Sequence, residues 1–191
     1  MSTLLDKLTA LHDALDADAI PHAFGGALAL AFCVGEPRAT ADIDVNVFLK
    51  VDDADRVLAS LPSDVVWDED DRAILLRDGQ ARLWWESTPV DVFMNTTDFH
   101  EGAAERSRHE EVNGRSLPFL SCRDLAVFKA FFNRRKDWAD LEAMLVAEAF
   151  DLDMVIGILA RYLGPTDERI AQLLEVSSTL PSSERDVPRH P

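Results

Sequence analysis

The sequence is poor in cysteine and has no long apolar run. Cys33 and Cys122 are its two thiols, far apart in the chain and each within an apolar stretch. This usage favours reduced, packed thiols over a disulfide or a zinc site. No apolar stretch approaches the roughly 20 residues that cross a bilayer, and residues 1–7 lack the pattern of a secretory signal. We therefore expect a cytoplasmic protein with no membrane partner.

Positive charge is scarce as well. Nineteen Lys and Arg stand against 35 Asp and Glu, a formal net charge of −16 over 191 residues. Such a field repels polyanions at long range, so a nucleotide or nucleic acid would need divalent cations and a local basic patch where it binds. The acidity is equally explained by solubility or by a salt-rich cytoplasm.

Hydrophobic periodicity predicts an α/β half followed by an α half. In the first half we expect helices at 3–17, 27–34 and 52–61, and strands at 21–24, 42–49, 72–77, 80–86 and 89–94. The Asp78-Gly79 pair predicts a hairpin between residues 72–77 and 80–86. Residues 95–113 have no regular pattern, and 117–120 form a short apolar segment. In the second half we expect helices at 123–132, 136–148, 151–162 and 166–176.

These elements predict an α+β protein with a mixed sheet and three segments. Residues 1–120 form the core, 121–176 a helical region packed on it, and 177–191 a polar, proline-bearing tail that we expect to be disordered.

Three carboxylates are candidate metal ligands. Asp42 and Asp44 are two residues apart on a strand, so both project from one face at about 6 to 7 Å along it. Asp91 lies on a later strand, and it joins them if that strand is a neighbour in matching register. Hard oxygen ligands in such an array suit Mg²⁺ and substrate phosphates. An Asp-x-Asp triplet alone is also common on solvated strand faces.

A Gly25-Gly26 turn precedes the triplet and joins a strand to a helix. The free N–H groups of a helix N-terminus bind anions such as phosphate. A turn of this kind can also require glycine simply for a positive φ angle, with no ligand present.

These residues resemble the first signature of the nucleotidyltransferase superfamily, in particular of the AbiEii/MenT-like toxins of bacterial toxin–antitoxin systems. The matching stretches are Gly25-Gly26-Ala27-Leu28 and Arg38-Ala39-Thr40-Ala41-Asp42-Ile43-Asp44. Lys129 to Leu141 looks like the lysine helix of that family, followed by its acidic helix start. Position 27 is Ala where many members carry a hydroxyl, and Asp91 is more similar to the third carboxylate of general nucleotidyltransferases.

The resemblance implies a polymerase-β-like core with a C-terminal helical region, transferring a nucleoside monophosphate from an NTP. Implied acceptors are RNA, above all the 3′ end of tRNA, and a cognate antitoxin protein is an implied partner. Mg²⁺ is the implied cofactor, held by Asp42, Asp44 and, as in the wider superfamily, Asp91. The residues implied to touch the substrates or to act in catalysis are Gly25, Gly26, Arg38, Thr40, Lys129 and either Asp137 or Asp140.

The second region has other readings from its residues alone. A lysine among aromatics at position 129 needs an anionic partner or a path to solvent, so it binds phosphate, or snorkels, or pairs with Asp124 or Glu142. Arg134, Arg135 and Lys136 form the densest positive cluster of the chain, which suits either RNA backbone contact or an exposed turn. Asp137 also suits the helix dipole.

The sequence is consistent with three functions. The first is transfer of a nucleotide to RNA by a toxin. The second is transfer to a small molecule such as an aminoglycoside, because an acidic protein suits a cationic acceptor. The third is a degenerate binding module of the same fold, which the missing hydroxyl at position 27 allows.

Overall fold

The structure is a computed structural model that describes residues 2–36 and 39–180. The chain divides into two compact units, residues 1–125 and 126–191. The strands are β1 His22–Phe24, β2 Ile43–Lys50, β3 Val65–Val66, β4 Gln80–Trp85, β5 Thr88–Asn95, β6 Arg108–Val112 and β7 Arg115–Phe119. The helices are α1 Leu4–Ala17, α2 Gly26–Val34, α3 Ala54–Ser60, α4 Glu69–Asp78, α5 Asp98–Ala103, α6 Cys122–Phe132, α7 Arg135–Val146, α8 Leu152–Leu163 and α9 Glu168–Thr179.

The first unit is built on one seven-stranded sheet of order β3-β4-β5-β2-β1-β7-β6. β2 pairs with β5, and β1 with β7, in parallel, while the other neighbours are antiparallel. The sheet is therefore mixed, as predicted. Its central strand β2 places Ile43, Val45 and Val47 in the core with no exposed surface, as the alternating pattern predicts.

Local signals account for the first two helices. Thr3 caps α1 and forms a reciprocal capping box with Asp6, which satisfies donors that the first turn would leave open. At the start of α2, Gly25 occupies the cap position without a side-chain hydrogen bond. Gly25 therefore gives the first-turn N–H groups of α2 no cap from its own side chain.

The prediction of a strand and hairpin at residues 72–77 is wrong, because this segment is the helix α4. Asp68 caps it by accepting from the N–H groups of Asp70 and Asp71, and acidic residues in its first turn suit the helix dipole. Gly79 ends the helix in the left-handed region, with φ of 68°. An Asp-Gly pair serves a helix C-terminus as readily as a hairpin, and here the tight two-residue turn instead joins β4 to β5.

The segment 95–113, predicted to be irregular, also contains regular structure. It holds α5, a short 3₁₀ turn and β6, which pairs with β7. The pairing partner lies further along the chain, so the local sequence carried little sign of it.

The prediction of reduced thiols is wrong too. Cys33 at the end of α2 and Cys122 at the start of α6 form a disulfide, with Cα atoms 5.6 Å apart. Apolar surroundings do not distinguish a packed thiol from a packed disulfide, because a disulfide also requires the two residues to be close in space, which the local sequence does not show.

The second unit contains most of α6 and the helices α7, α8 and α9, close to the four predicted segments. The two units divide at 125/126, and the expected domain boundary at 120/121 stays a prediction. Residues 177–179, assigned to a disordered tail, belong to α9, and residues 181–191 of that tail lie outside the described residues. Within the described part of the chain, no helix has the length and apolar character needed to span a membrane.

Candidate active site

Three charged side chains form a row across neighbouring strands of the sheet. Asp44 on β2 lies opposite Asp91 on β5, and Asp91 lies opposite Arg82 on β4. Residues directly opposite one another on paired strands share a face of the sheet. Asp44, Asp91 and Arg82 therefore lie side by side, and we refer to them as the charged row. The condition for Asp91 to join the other two carboxylates, that β5 neighbours β2 in matching register, is fulfilled, and its role as a metal ligand stays a prediction.

Arg82 binds Asp91 through a two-point contact. Its Nε and Nη2 atoms donate to Oδ1 and Oδ2 of Asp91, each at 2.7 Å. The hydrogen bond from Arg82 to Asp91 raises the pKa of the guanidinium, and the charges of Asp91, Asp42 and Asp44 raise it further. Arg82 is therefore in the field of all three predicted metal ligands.

Sequence reasoning missed Arg82, although a signal was present. Once β4 and β5 are joined by a two-residue turn, Trp85 pairs with Thr88. Counting back along the ladder from that pair brings position 82 opposite position 91. The wrong prediction of a strand at 72–77 placed the hairpin between residues 72–77 and 80–86. The pairing of β4 with β5, and with it the register of Arg82, was therefore not predicted.

The glycine turn contacts the carboxylate of Asp44. The Gly25 N–H donates to the Asp44 carbonyl at 2.9 Å, and Gly26 has φ of +58°. A Cβ atom built at Gly26 would lie 1.8 Å from Asp44 Oδ2, a separation that no side chain tolerates. At Gly25 the added Cβ would lie 2.7 Å from Nδ2 of the buried Asn46. Glycine is thus required here both for the backbone angle and for the approach to β2.

Asp42 lies immediately before β2 and is held by Thr40. The Thr40 hydroxyl donates to Oδ1 of Asp42 in a short hydrogen bond. Thr40 therefore orients the first carboxylate of the triplet, and its predicted contact with a triphosphate stays a prediction. Arg38, the other predicted binding residue of this segment, lies outside the described residues.

In the second unit, the lysine of α6 is buried against the acidic residues of α7. Lys129 Nζ donates to Asp140 Oδ2 at 2.7 Å and lies 3.9 Å from Asp137 Oδ1. All three residues are at most 5% exposed. The sequence alone left Asp124 and Glu142 as candidate partners of Lys129. Asp124 pairs with Arg106 at 2.9 Å, and the anionic partner of Lys129 is Asp140.

The basic cluster has two kinds of member. Arg134 is the N-cap of α7, and its Nε donates to Asp137 Oδ2 at 2.6 Å. Arg135 and Lys136 are exposed on the first turn. Arg134 therefore has a clear structural task, while Arg135 and Lys136 are open to a polyanion in solution.

The donor chemistry of Asp42, Asp44 and Asp91 fits a divalent metal ion only in part. Asp42 and Asp44 offer the hard oxygen ligands that Mg²⁺ prefers, but Asp91 is engaged by Arg82. Among the described residues, no three His, Cys, Asp or Glu side chains are gathered as a ready metal site. Arg82 therefore competes with any cation for the oxygens of Asp91.

A cavity of about 480 Å³ lies away from these carboxylates. Lys50 and Asn95, at the C-terminal ends of β2 and β5, line it together with Arg77 and Thr97. Asp42 and Asp44 lie at the other end of β2, so we base the site on the charged row and the glycine turn.

The architecture is the α+β fold of the nucleotidyltransferases. Among solved structures, the chain is similar to the antibiotic-resistance factor ANT(2'')-Ia, with a TM-score of 0.58 and 15% identity over 90% of this chain and 95% of that one. It is also similar to an antigenic nucleotidyltransferase-like protein from Paracoccidioides brasiliensis, with a TM-score of 0.50 and 16% identity over 88% and 92% of the two chains. No family model and no curated protein matches the sequence. At these identities the likeness shows the fold, and function must be argued from the residues.

Proposed function

We propose that this protein is a nucleotidyltransferase that transfers a nucleoside monophosphate from an NTP to a hydroxyl group of an acceptor. The observation that carries the proposal is the contact between Gly26 and Asp44. It brings the N-terminus of α2, whose backbone N–H groups suit phosphate oxygens, directly against a carboxylate suited to a divalent cation.

In the proposed reaction, the acceptor hydroxyl attacks the α-phosphorus in line. A new P–O bond forms, the bond to the β-phosphate oxygen breaks, and pyrophosphate leaves. Asp42 and Asp44 would hold Mg²⁺, with Asp91 as a third ligand. When bound, Mg²⁺ would neutralise phosphate charge and lower the pKa of the attacking hydroxyl. The proton of that hydroxyl passes to a carboxylate of the charged row.

The residues of the protein contribute binding and orientation. The α2 N-terminus, with Gly25 and Gly26, cradles phosphate oxygens, and Thr40 holds the Asp42 carboxylate towards them. Lys129 would meet a phosphate, as the family resemblance implies, through the donors of its ammonium that Asp140 does not accept. Asp137 and Asp140 would then be the anions that orient it.

We propose RNA, and specifically the 3′ end of tRNA, as the acceptor, with the protein acting as the toxin of a toxin–antitoxin pair. Two features support this choice. One is the resemblance of both signatures to the AbiEii/MenT-like toxins. The other is the exposed Arg135 and Lys136, which offer an overall acidic chain a local contact for phosphates.

A labelling experiment tests the proposal. The purified protein is incubated with Mg²⁺, total tRNA and each of the four α-labelled NTPs in turn. We expect label on the tRNA with at least one NTP, and loss of that label in Asp44→Asn. Asp55→Asn is the matched control, because it removes an exposed carboxylate that pairs with Arg72. No transfer by a preparation that binds nucleotide would refute the RNA assignment.

A cationic small molecule is the second candidate acceptor, and the net charge of −16 favours it because that field attracts cations. The similarity to an antibiotic-resistance factor makes an aminoglycoside a suitable probe. Transfer of label to an aminoglycoside, with none to tRNA, would select this candidate. Mg²⁺-dependent NTP binding without transfer to either acceptor would instead identify a binding module of the same fold.

A further inference from the structure

The salt bridge between Arg82 and Asp91 is accessible to solvent on the side of the arginine. The Asp91 side chain is 15% exposed, whereas that of Arg82 is 52% exposed. The guanidinium can therefore leave along a solvent-facing path while the carboxylate stays on the sheet. The Lys129–Asp140 pair is different, since both side chains are at most 7% exposed. An ion pair that is half open to water contributes little net stability, which makes its exchange for another partner inexpensive.

The partner that would compete for Asp91 is a cation. Asp91 lies opposite Asp44 on adjacent parallel strands, and ionised carboxylates in such positions repel each other. Arg82 offsets this repulsion with one positive charge held at 2.7 Å from Asp91. A divalent ion bound at Asp42 and Asp44 would offset it with two charges and would offer Asp91 an alternative partner.

We infer that Arg82 acts as the internal counter-cation of the charged row, holding Asp91 until a divalent cation binds and displaces it. This inference rests on the proposed function. Arg82 then sets the cation affinity of the site, because each binding event must break the two hydrogen bonds to Asp91.

The test is cation binding by variants at position 82. Free Mn²⁺, which shares the oxygen preference of Mg²⁺, is measured by electron paramagnetic resonance during titration of the protein. Arg82→Gln should bind Mn²⁺ about 3- to 10-fold more tightly than the native protein, since it removes a positive charge and frees Asp91. Any Mn²⁺ binding that persists in Asp44→Asn, for example at acidic surface runs such as residues 68–71, is subtracted.

Arg72→Gln is the matched control. Arg72 also donates to a carboxylate, with its Nη2 atom 2.8 Å from Oδ2 of Asp55. This salt bridge connects α4 to α3 and lies outside the charged row. Its loss changes the net charge by the same amount and should leave Mn²⁺ affinity unchanged. Equal tightening in both variants, or no tightening in Arg82→Gln, would overturn the inference. A pair that only stabilises the hairpin would lower the melting temperature without tightening cation binding.

A second background separates displacement from charge at a distance. In Asp91→Asn, the added Arg82→Gln change should tighten Mn²⁺ binding by a smaller factor than it does in the native protein. An undiminished factor would mean that Arg82 acts without releasing Asp91, contrary to the inference. If Arg82→Gln does not fold, Arg82→Lys replaces it. Lysine keeps the positive charge but lacks the planar guanidinium that makes two hydrogen bonds to Asp91. Mn²⁺ binding about twofold tighter in Arg82→Lys supports displacement of the side chain at position 82. Unchanged or weaker Mn²⁺ binding contradicts displacement.

The outcome is distinguishable from failure of the proposed function. Label transfer is measured on the same samples with Mn²⁺ as the cation. Tighter Mn²⁺ binding in Arg82→Gln without any label transfer leaves the counter-cation role standing and removes the transferase assignment. Label transfer with no specific Mn²⁺ binding removes the counter-cation role alone.

Discussion

Gly26 is the residue on which the geometry of the site depends most directly. Its positive φ angle turns the chain from β1 into α2, and the missing side chain leaves room for the Asp44 carboxylate. Two demands meet at one position, and either alone would favour glycine. Together they keep the N-terminus of α2 in contact with β2.

Replacing Gly26 by alanine should therefore abolish transfer. The new Cβ would overlap Asp44 Oδ2, so the carboxylate or the turn must move, and a displacement of about 1 Å costs on the order of 100-fold in rate. We expect transfer activity to fall by at least that factor and the free energy of unfolding to fall by about 1–3 kcal/mol. Activity is measured by label transfer and stability by urea unfolding.

Gly114→Ala is the control for backbone strain. Gly114 has φ of +74° with nothing within 4 Å of an added Cβ. It should show the stability cost of the positive φ angle and keep its activity. Native-level label transfer in Gly26→Ala would mean that the reaction does not depend on the observed position of the Asp44 carboxylate.

A buried histidine makes stability depend on pH. Burial lowers the pKa of His100 to about 4, against 6.5 for the free side chain, while a hydrogen bond to the Met94 carbonyl works in the opposite direction. Between these two values the unfolded chain binds a proton that the folded chain excludes. The contribution of His100 to the free energy of unfolding is therefore complete above pH 6.5. It decreases as the pH falls from 6.5 to 4 and changes no further below pH 4.

His100→Gln should flatten this dependence. At about 1.4 kcal/mol per pKa unit, the native protein should lose roughly 3 kcal/mol more than the variant between pH 7 and pH 4. Urea unfolding at a series of pH values measures the difference, which cancels the contributions of other groups. His109→Gln, at an exposed position, should keep the native slope. Equal slopes in the native protein and His100→Gln would contradict the low pKa.

At the scale of elements, the buried contact between α6 and α7 serves stability, and the proposed function gives it a second role. Lys129 and Asp140 satisfy each other in a place that water does not reach. A buried charge whose partner has been removed is costly, whereas replacing both by apolar residues is often neutral. The pair thus offers a way to separate structure from catalysis.

Lys129→Met and Asp140→Leu should each cost about 3–5 kcal/mol of unfolding free energy, and the double variant much less than their sum. If Lys129 meets phosphate, the refolded double variant should still transfer no label. Recovery of both stability and transfer in the double variant would assign the pair a purely structural role. Urea unfolding and the labelling assay read out the two properties separately.

The disulfide is the second link between elements. It joins α2 to the start of α6 across a sequence separation of 89 residues, and a crosslink restricts the unfolded chain. Cys33→Ser/Cys122→Ser should lower the free energy of unfolding by about 2–4 kcal/mol. Adding a thiol reductant should destabilise the native protein by a similar amount and leave the double variant unaffected. Two reactive thiols in the unreduced, unfolded protein would show that the crosslink is absent.

At the scale of the whole molecule, the net charge of −16 opposes an RNA acceptor, so any contact must be local. Removing Arg135 and Lys136 by changing both to glutamine should raise KM for tRNA about 10-fold and leave KM for the NTP unchanged. Arg134 is left in place because it caps α7.

Arg72→Gln/Arg77→Gln is the matched control for that change. Both double variants remove two positive charges and shift the net charge from −16 to −18. Only the variant changed at 135 and 136 should show a raised KM for tRNA. An equal rise in KM for both would mean that overall charge, rather than a local patch, governs the acceptor.

Much of the fold follows from local sequence. The Thr3 and Asp6 capping box, the alternation around Asp44 and the four C-terminal helical segments each depend on residues within one or two turns of one another. The residues 72–77 are one exception, because a run of apolar side chains suited a strand while the caps Asp68 and Gly79 favoured the helix that forms.

The sequence by itself determined which residues are suited to the site. Asp42 and Asp44 were candidates because their spacing places both side chains on one face of a strand, and the glycine turn was a candidate because it joins a strand to a helix N-terminus. Tertiary structure decided the partners, pairing Arg82 with Asp91, Lys129 with Asp140 and Cys33 with Cys122. These contacts depend on strand register and helix packing. Both are set by the balance of burial over the whole core, which no local pattern contains.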